Sequence, residues 1–91
     1  MRHLTLQQLR TTIDTGAVLS ASIIGQGAMF YVQIKTRGGP AMLSKTKGSD
    51  LRPFRDATKA VLLLWELGIR EVHVDAKNWN PHQGDLVSPS P

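Results

Sequence analysis

A chain of 91 residues with a hydrophobic share of 41% has room for one packed core and excludes a second. With no cysteine, disulfides, thiolate nucleophiles and cysteine-bound zinc or iron are excluded together. The net charge of +4 is unevenly placed: Lys35, Arg37, Lys45, Lys47, Arg52, Arg55 and Lys59 stand against Asp50 and Asp56 in one segment, and the rest of the chain is slightly negative.

The first helix is announced by Thr5 and Gln8, spaced as a reciprocal capping box, with Leu4 and Leu9 placed as a hydrophobic staple. Leu6, Leu9 and Ile13 recur at helical spacing, and Gly16 supplies the left-handed residue that ends the helix, which runs from about Leu6 to Thr15. From Ala17 the period becomes two. Leu19, Ala21 and Ile23 alternate with Ser20 and Ser22, and Gly25-Gln26-Gly27 reads as a turn. The second strand, Met29 to Thr36, turns Phe30, Val32 and Ile34 to one face and Met29, Tyr31, Gln33 and Lys35 to the other. After Arg37-Gly38-Gly39-Pro40, a third strand from Ala41 to Thr46 completes a meander, with Leu43 inward and Met42 and Ser44 outward.

Pro53 suits a first helical turn capped by Asp50, and the helix continues to Leu67. It is apolar nearly all round, which places it at the centre of the core with Trp65 inside. Gly68 stops it. Arg70 to Ala76 then alternates as a fourth strand, with Val72 and Val74 inward and Glu71, His73 and Asp75 outward. The expected fold is α+β in the order α-β-β-β-α-β: a mainly antiparallel four-stranded sheet with two helices on one face. Residues 1–79 form this single domain, with Trp79 pinning the chain end, and residues 80–91 read as a disordered tail rich in proline and serine. Whether the fourth strand joins beside the first or the third is left open.

The longest apolar run, Ala60 to Trp65, is too short to span a bilayer, so the expectation is a cytoplasmic protein with no membrane association. His3, His73 and His82 lack metal-ligand spacings, and no phosphate loop, dinucleotide fingerprint or nucleophile turn is present. No metal, cofactor or small-molecule substrate is expected. His73 and Asp75 with Ser20, Ser22 or Ser44 would make a hydrolytic constellation only if a pocket enclosed them, and the reading is non-enzymatic.

Two features point to binding. Lys35, Arg37, Lys45, Lys47, Arg52, Arg55 and Lys59 fall on a turn, a strand end, a loop and a helix start, surface positions from which they can meet nucleic-acid phosphates. The outer sheet face carries Met29, Tyr31 and Met42, residue types typical of an interface with a protein partner or a second copy.

The strings TLQQLRTTID, GQGAMFYVQI, DATKAVLLLWELGI and VDAKNWNP, spanning Leu4 to Pro81, resemble the ParC-type partition-associated proteins of bacterial plasmids and integrative elements. The resemblance implies a small accessory protein of a mobile genetic element, with no catalytic residue to carry over. Combined with the basic segment, it makes nucleic acid, DNA or RNA, the expected partner, with a second copy or a protein partner on the outer sheet face as the alternative.

Overall fold

A computed structural model of the chain describes residues 2–46 and 50–82. The elements are β1 (Arg2–Leu4), α1 (Leu6–Asp14), β2 (Val18–Gly27), β3 (Met29–Thr36), β4 (Gly39–Leu43), α2 (Ala57–Glu66) and β5 (His73–Trp79). The fold is α+β. Its sheet has five strands in the order β1-β4-β3-β2-β5 and is mixed. The meander β2-β3-β4 is antiparallel, while β1 lies parallel to β4 at one edge and β5 parallel to β2 at the other.

The expected four-stranded, mainly antiparallel sheet is thereby corrected at both edges. Arg2, His3 and Leu4 pair with Ala41, Met42 and Leu43, and Ser44 N–H donates to Leu4 O at 2.7 Å. Three residues are too few to show a period of two, so this strand exists only through its distant partner. At the other edge the fourth predicted strand, now β5, joins beside β2.

Both helices cross between parallel strands and pack on the same sheet face. Leu9 of α1 and Ala60 and Leu64 of α2 share one core with Ala21, Ile23, Val32, Ile34 and Leu43 from the sheet. The capping box closes α1 as the sequence indicates: Gln8 N–H donates to Thr5 Oγ1 at 3.2 Å, and Thr5 N–H donates to Gln8 Oε1 at 2.9 Å. Gly16 follows at φ +74°.

Three local expectations are corrected. Gly25 does not turn the chain. It continues β2, pairs with Phe30, and leaves the space into which Trp79 packs, its ring 5.0 Å from that of Phe30. The turn is made by Gly27 and Ala28, with Gly27 at φ +59° as the first position of a two-residue hairpin turn requires. The second helix starts at Ala57, capped by Asp56, whose carboxylate accepts from Thr58 N–H at 2.9 Å. Residues 51–54 are extended instead: Leu51 bridges to Ser44, and Phe54 exchanges both backbone hydrogen bonds with Phe30 at 2.7 and 2.8 Å. Burying Phe54 against the start of β3 satisfies its amide and carbonyl there, so the helix signal at Pro53 loses to a sheet contact. Ser44, expected outward, is buried beneath this segment.

The third correction concerns α2. Ala60 and Leu64 are fully buried, with Ala57, Leu63 and Leu67 packed beside them, but Trp65 is 53% exposed. The helix covers β2 and β3 and leaves the inner face of β5 open, so Val74 opposite Ile23 is exposed as well. Beyond Trp79, Asn80 N–H donates to Gly27 O at 2.7 Å. The expected tail lies largely outside the described residues. No helix among the described residues is long and apolar enough to cross a membrane.

Candidate nucleic-acid interface

The strand β3 separates the basic segment into two groups. Lys35 and Arg37 stand at its far end, beside the turn into β4. There Arg37 N–H donates to Ala17 O at 3.0 Å, its Nε donates to Gly16 O at 3.4 Å, and the Arg2 guanidinium lies against Gly38. Lys45, Arg52 and Arg55 stand at the opposite end, held by the segment that returns from β4 to α2. Lys45 N–H donates to Asp50 O at 2.9 Å, and Arg52 N–H donates to Leu43 O at 3.0 Å. The two ends are about five residues of strand apart, roughly 17 Å at ~3.4 Å per residue. Lys59 projects one turn into α2 and is exposed. Lys47 lies outside the described residues.

The end holding Lys45, Arg52 and Arg55 is also where both helices begin, because β1 and β4 run parallel and each feeds a helix from its carboxyl end. The positive ends of the two helix dipoles therefore point the same way as these side chains, with the Asp56 cap as a partial offset. The Arg52 guanidinium carbon sits 5.1 Å from the centre of the Phe54 ring, which orients it along the surface. The one ion pair among the described residues is elsewhere, between Lys77 Nζ and Asp75 Oδ2 at 3.9 Å. Among the described residues, Lys45, Arg52, Arg55 and Lys59 thus have no carboxylate ion-pair partner.

Shallow depressions connect these cations. One of about 380 Å³ is lined by Leu6, Ser44, Lys45, Thr46 and Arg52. Arg52 is shared with a second, about 390 Å³, that reaches Lys59 and Glu66, while Leu6 and Thr46 are shared with a third, about 490 Å³, that reaches Arg10 and Asp14. A fourth, about 350 Å³, lies between the two helices, lined by Arg10 and Asp14 of α1 and Leu63 and Glu66 of α2, so that the groove they form runs from cations near the helix starts to Asp14 and Glu66 near their ends. Arg10 belongs to this groove and was not singled out from the sequence. Four residues after Leu6 and three before Ile13, it borders the apolar stripe of α1, and that spacing is the signal that places it beside the groove.

The second candidate surface is the sheet face that no helix covers. Cross-strand register places His3, Met42, Gln33, Ser22 and His73 in one row across all five strands, with Tyr31, Ile24 and Asp75 in the next. Met29, Tyr31 and Met42 are partly exposed there, on β3 and β4. His73 is exposed on this open face opposite Ser22. The Asp75 carboxylate accepts from Lys77 N–H at 3.0 Å and pairs with Lys77 Nζ. Ser44 is buried beyond β4, with β3 and β2 between it and β5, whereas Ser22 lies directly opposite His73 on the open face, with Asp75 in the next row. Among the described residues no group of three or more His, Cys, Asp or Glu is placed to hold a metal ion.

Comparison with family models, with curated proteins and with solved structures finds no match to this chain.

Proposed function

We propose that the chain is a cytoplasmic, non-enzymatic accessory protein of a mobile genetic element that binds nucleic-acid phosphates through Lys45, Arg52 and Arg55. The observation that carries this reading is that three cations with no carboxylate partner among the described residues stand at one end of the domain, beside the starts of both helices. Lys and Arg placed this way exchange condensed counterions on a phosphate backbone for direct contacts, giving sequence-tolerant, salt-dependent binding. The resemblance to partition-associated proteins supports the same reading and favours duplex DNA as the substrate.

The test is a titration of a fluorescein-labelled duplex of arbitrary sequence, followed by anisotropy. Replacing Lys45, Arg52 and Arg55 together by Glu weakens binding at least about tenfold, while the same change at Lys35 and Arg37 on the other end of β3 weakens it less than about threefold. Equal losses in the two variants would overturn the placement of the site, and no binding by the unaltered chain would overturn the reading.

A second reading rests on the uncovered sheet face, where Met29, Tyr31 and Met42 are partly exposed with none of the described elements above them. It casts the domain as a protein-interaction module. Tyr31→Glu would then abolish capture of a partner while leaving duplex binding unchanged, and an unchanged partner set would count against it.

A further inference from the structure

An isolated surface helix presents polar residues to water on the side away from the core. In α2 that side carries Leu62, 52% exposed, and Trp65, 53% exposed, with Val61 on the adjoining flank at 37%. Thr58, Leu62 and Trp65 follow one another at spacings of four and three, so they form a single stripe opposite buried Ala60 and Leu64. The Arg70 guanidinium carbon lies 3.9 Å from the centre of the Trp65 ring and Arg70 Nη1 donates to Trp65 O at 3.1 Å, which fixes the indole without covering the stripe.

One flank of the stripe carries Lys59 and Glu66, seven residues apart and therefore on the same side of the helix, about 10 Å from each other along its axis. Neither has an ion-pair partner among the described residues. In two antiparallel helices related by a two-fold axis, like flanks face each other and residue i meets j where j meets i. With the axis between Leu62 and Leu63, Lys59 of each copy then faces Glu66 of the other. The pattern complements itself only in that orientation; in a parallel two-fold pair the flank carrying Lys59 and Glu66 would face the Val61 flank of the other copy.

We propose that two copies of this chain associate through antiparallel packing of α2, with Leu62 and Trp65 in the seam and reciprocal Lys59–Glu66 pairs on its flank. Of the two sheet edges, β1 has only three residues, and the outer edge of β5 is guarded against such pairing. It carries an extra residue between Asp75 and Asn78 relative to Ile24 and Gln26 of β2, and Lys77 N–H is held by Asp75 Oδ1 at 3.0 Å. The helix stripe has no comparable guard. A helix of 10 residues is about 15 Å long, so the contact is small and the association concentration-dependent. The proposal is independent of the nucleic-acid reading, which uses Lys45, Arg52 and Arg55.

Sedimentation equilibrium of the full chain without nucleic acid tests it, with circular dichroism of each variant to establish that it is folded. The weight-average mass rises with concentration toward twice the 10.0 kDa of one chain. Lys59→Glu and Glu66→Lys each weaken association at least about fivefold, and the double variant with the charges exchanged returns to within about twofold of the unaltered chain. Leu62→Asp, at an exposed position, leaves the fold intact and the chain monomeric. A chain that stays monomeric up to millimolar concentration would overturn the proposal, as would a dimer indifferent to Leu62→Asp. A double exchange that fails to restore association would refute the antiparallel register.

Discussion

Gly25 sits inside β2 at a backbone conformation open to any residue, so replacing it by Ala in an ordinary strand would stabilise the fold by about 0.4–1 kcal/mol through the unfolded chain. Here the sign reverses. A Cβ at position 25 would fall 2.6 Å from Trp79 Cβ and 3.3 Å from Phe30 Cε1, and the first of these lies too close to the backbone to swing away. Relief requires β5 to shift outward from β2, an overpacking penalty of about 1–3 kcal/mol that exceeds the entropic gain. Taking about 2 kcal/mol of penalty against about 0.7 kcal/mol of gain leaves a net loss of about 1.3 kcal/mol, and at roughly 4–8 °C per kcal/mol for a domain of this size Gly25→Ala lowers the melting temperature by about 5–10 °C. Trp79→Ala retains the offending Cβ and does not rescue it. Trp79→Gly removes it, so in that background Gly25→Ala becomes stabilising by about 0.4–1 kcal/mol. The assay is a double-mutant cycle by thermal and urea unfolding. Full additivity, or a Gly25→Ala chain that melts at or above the unaltered one, would refute the packing of Trp79 over β2.

Thr5→Ala removes the acceptor for Gln8 N–H and lowers stability by about 0.5–2 kcal/mol, read from the urea midpoint. Leu64→Ala empties a fully buried site and costs about 2–5 kcal/mol, enough to leave a domain this small largely unfolded at 37 °C by circular dichroism. Trp65→Ala, one residue on but facing water, loses chiefly its stacking with Arg70 and costs about 0.5–1 kcal/mol in dilute solution.

What could be read from the sequence was what local physics decides. The Thr5–Gln8 box, the end of α1 at Gly16 and the inward set Phe30, Val32 and Ile34 depend on neighbours within a few residues, and the structure has each of them. The expectations that changed depend on distant partners. Arg2–Leu4 becomes a strand by pairing with β4, and Phe54 leaves the helix because Phe30 takes both of its backbone groups. Trp65 lies outside the core because α2 is apolar on two sides and only one of them meets the sheet. The same limit applies to the candidate site. Composition reveals a basic segment, but only the fold separates Lys35 and Arg37 from Lys45, Arg52 and Arg55 by the length of β3, and only the fold brings Arg10 into the groove.

Phosphate contact by Lys45, Arg52 and Arg55 is read from the salt dependence of duplex affinity. Three phosphate contacts correspond to a slope of about −2.7 in log affinity against log salt, a roughly 40-fold loss of affinity from 50 to 200 mM. Reversing Lys45, Arg52 and Arg55 flattens that slope to near zero. A loss below about 3.5-fold for the unaltered chain, the figure for a single phosphate contact, would contradict the account.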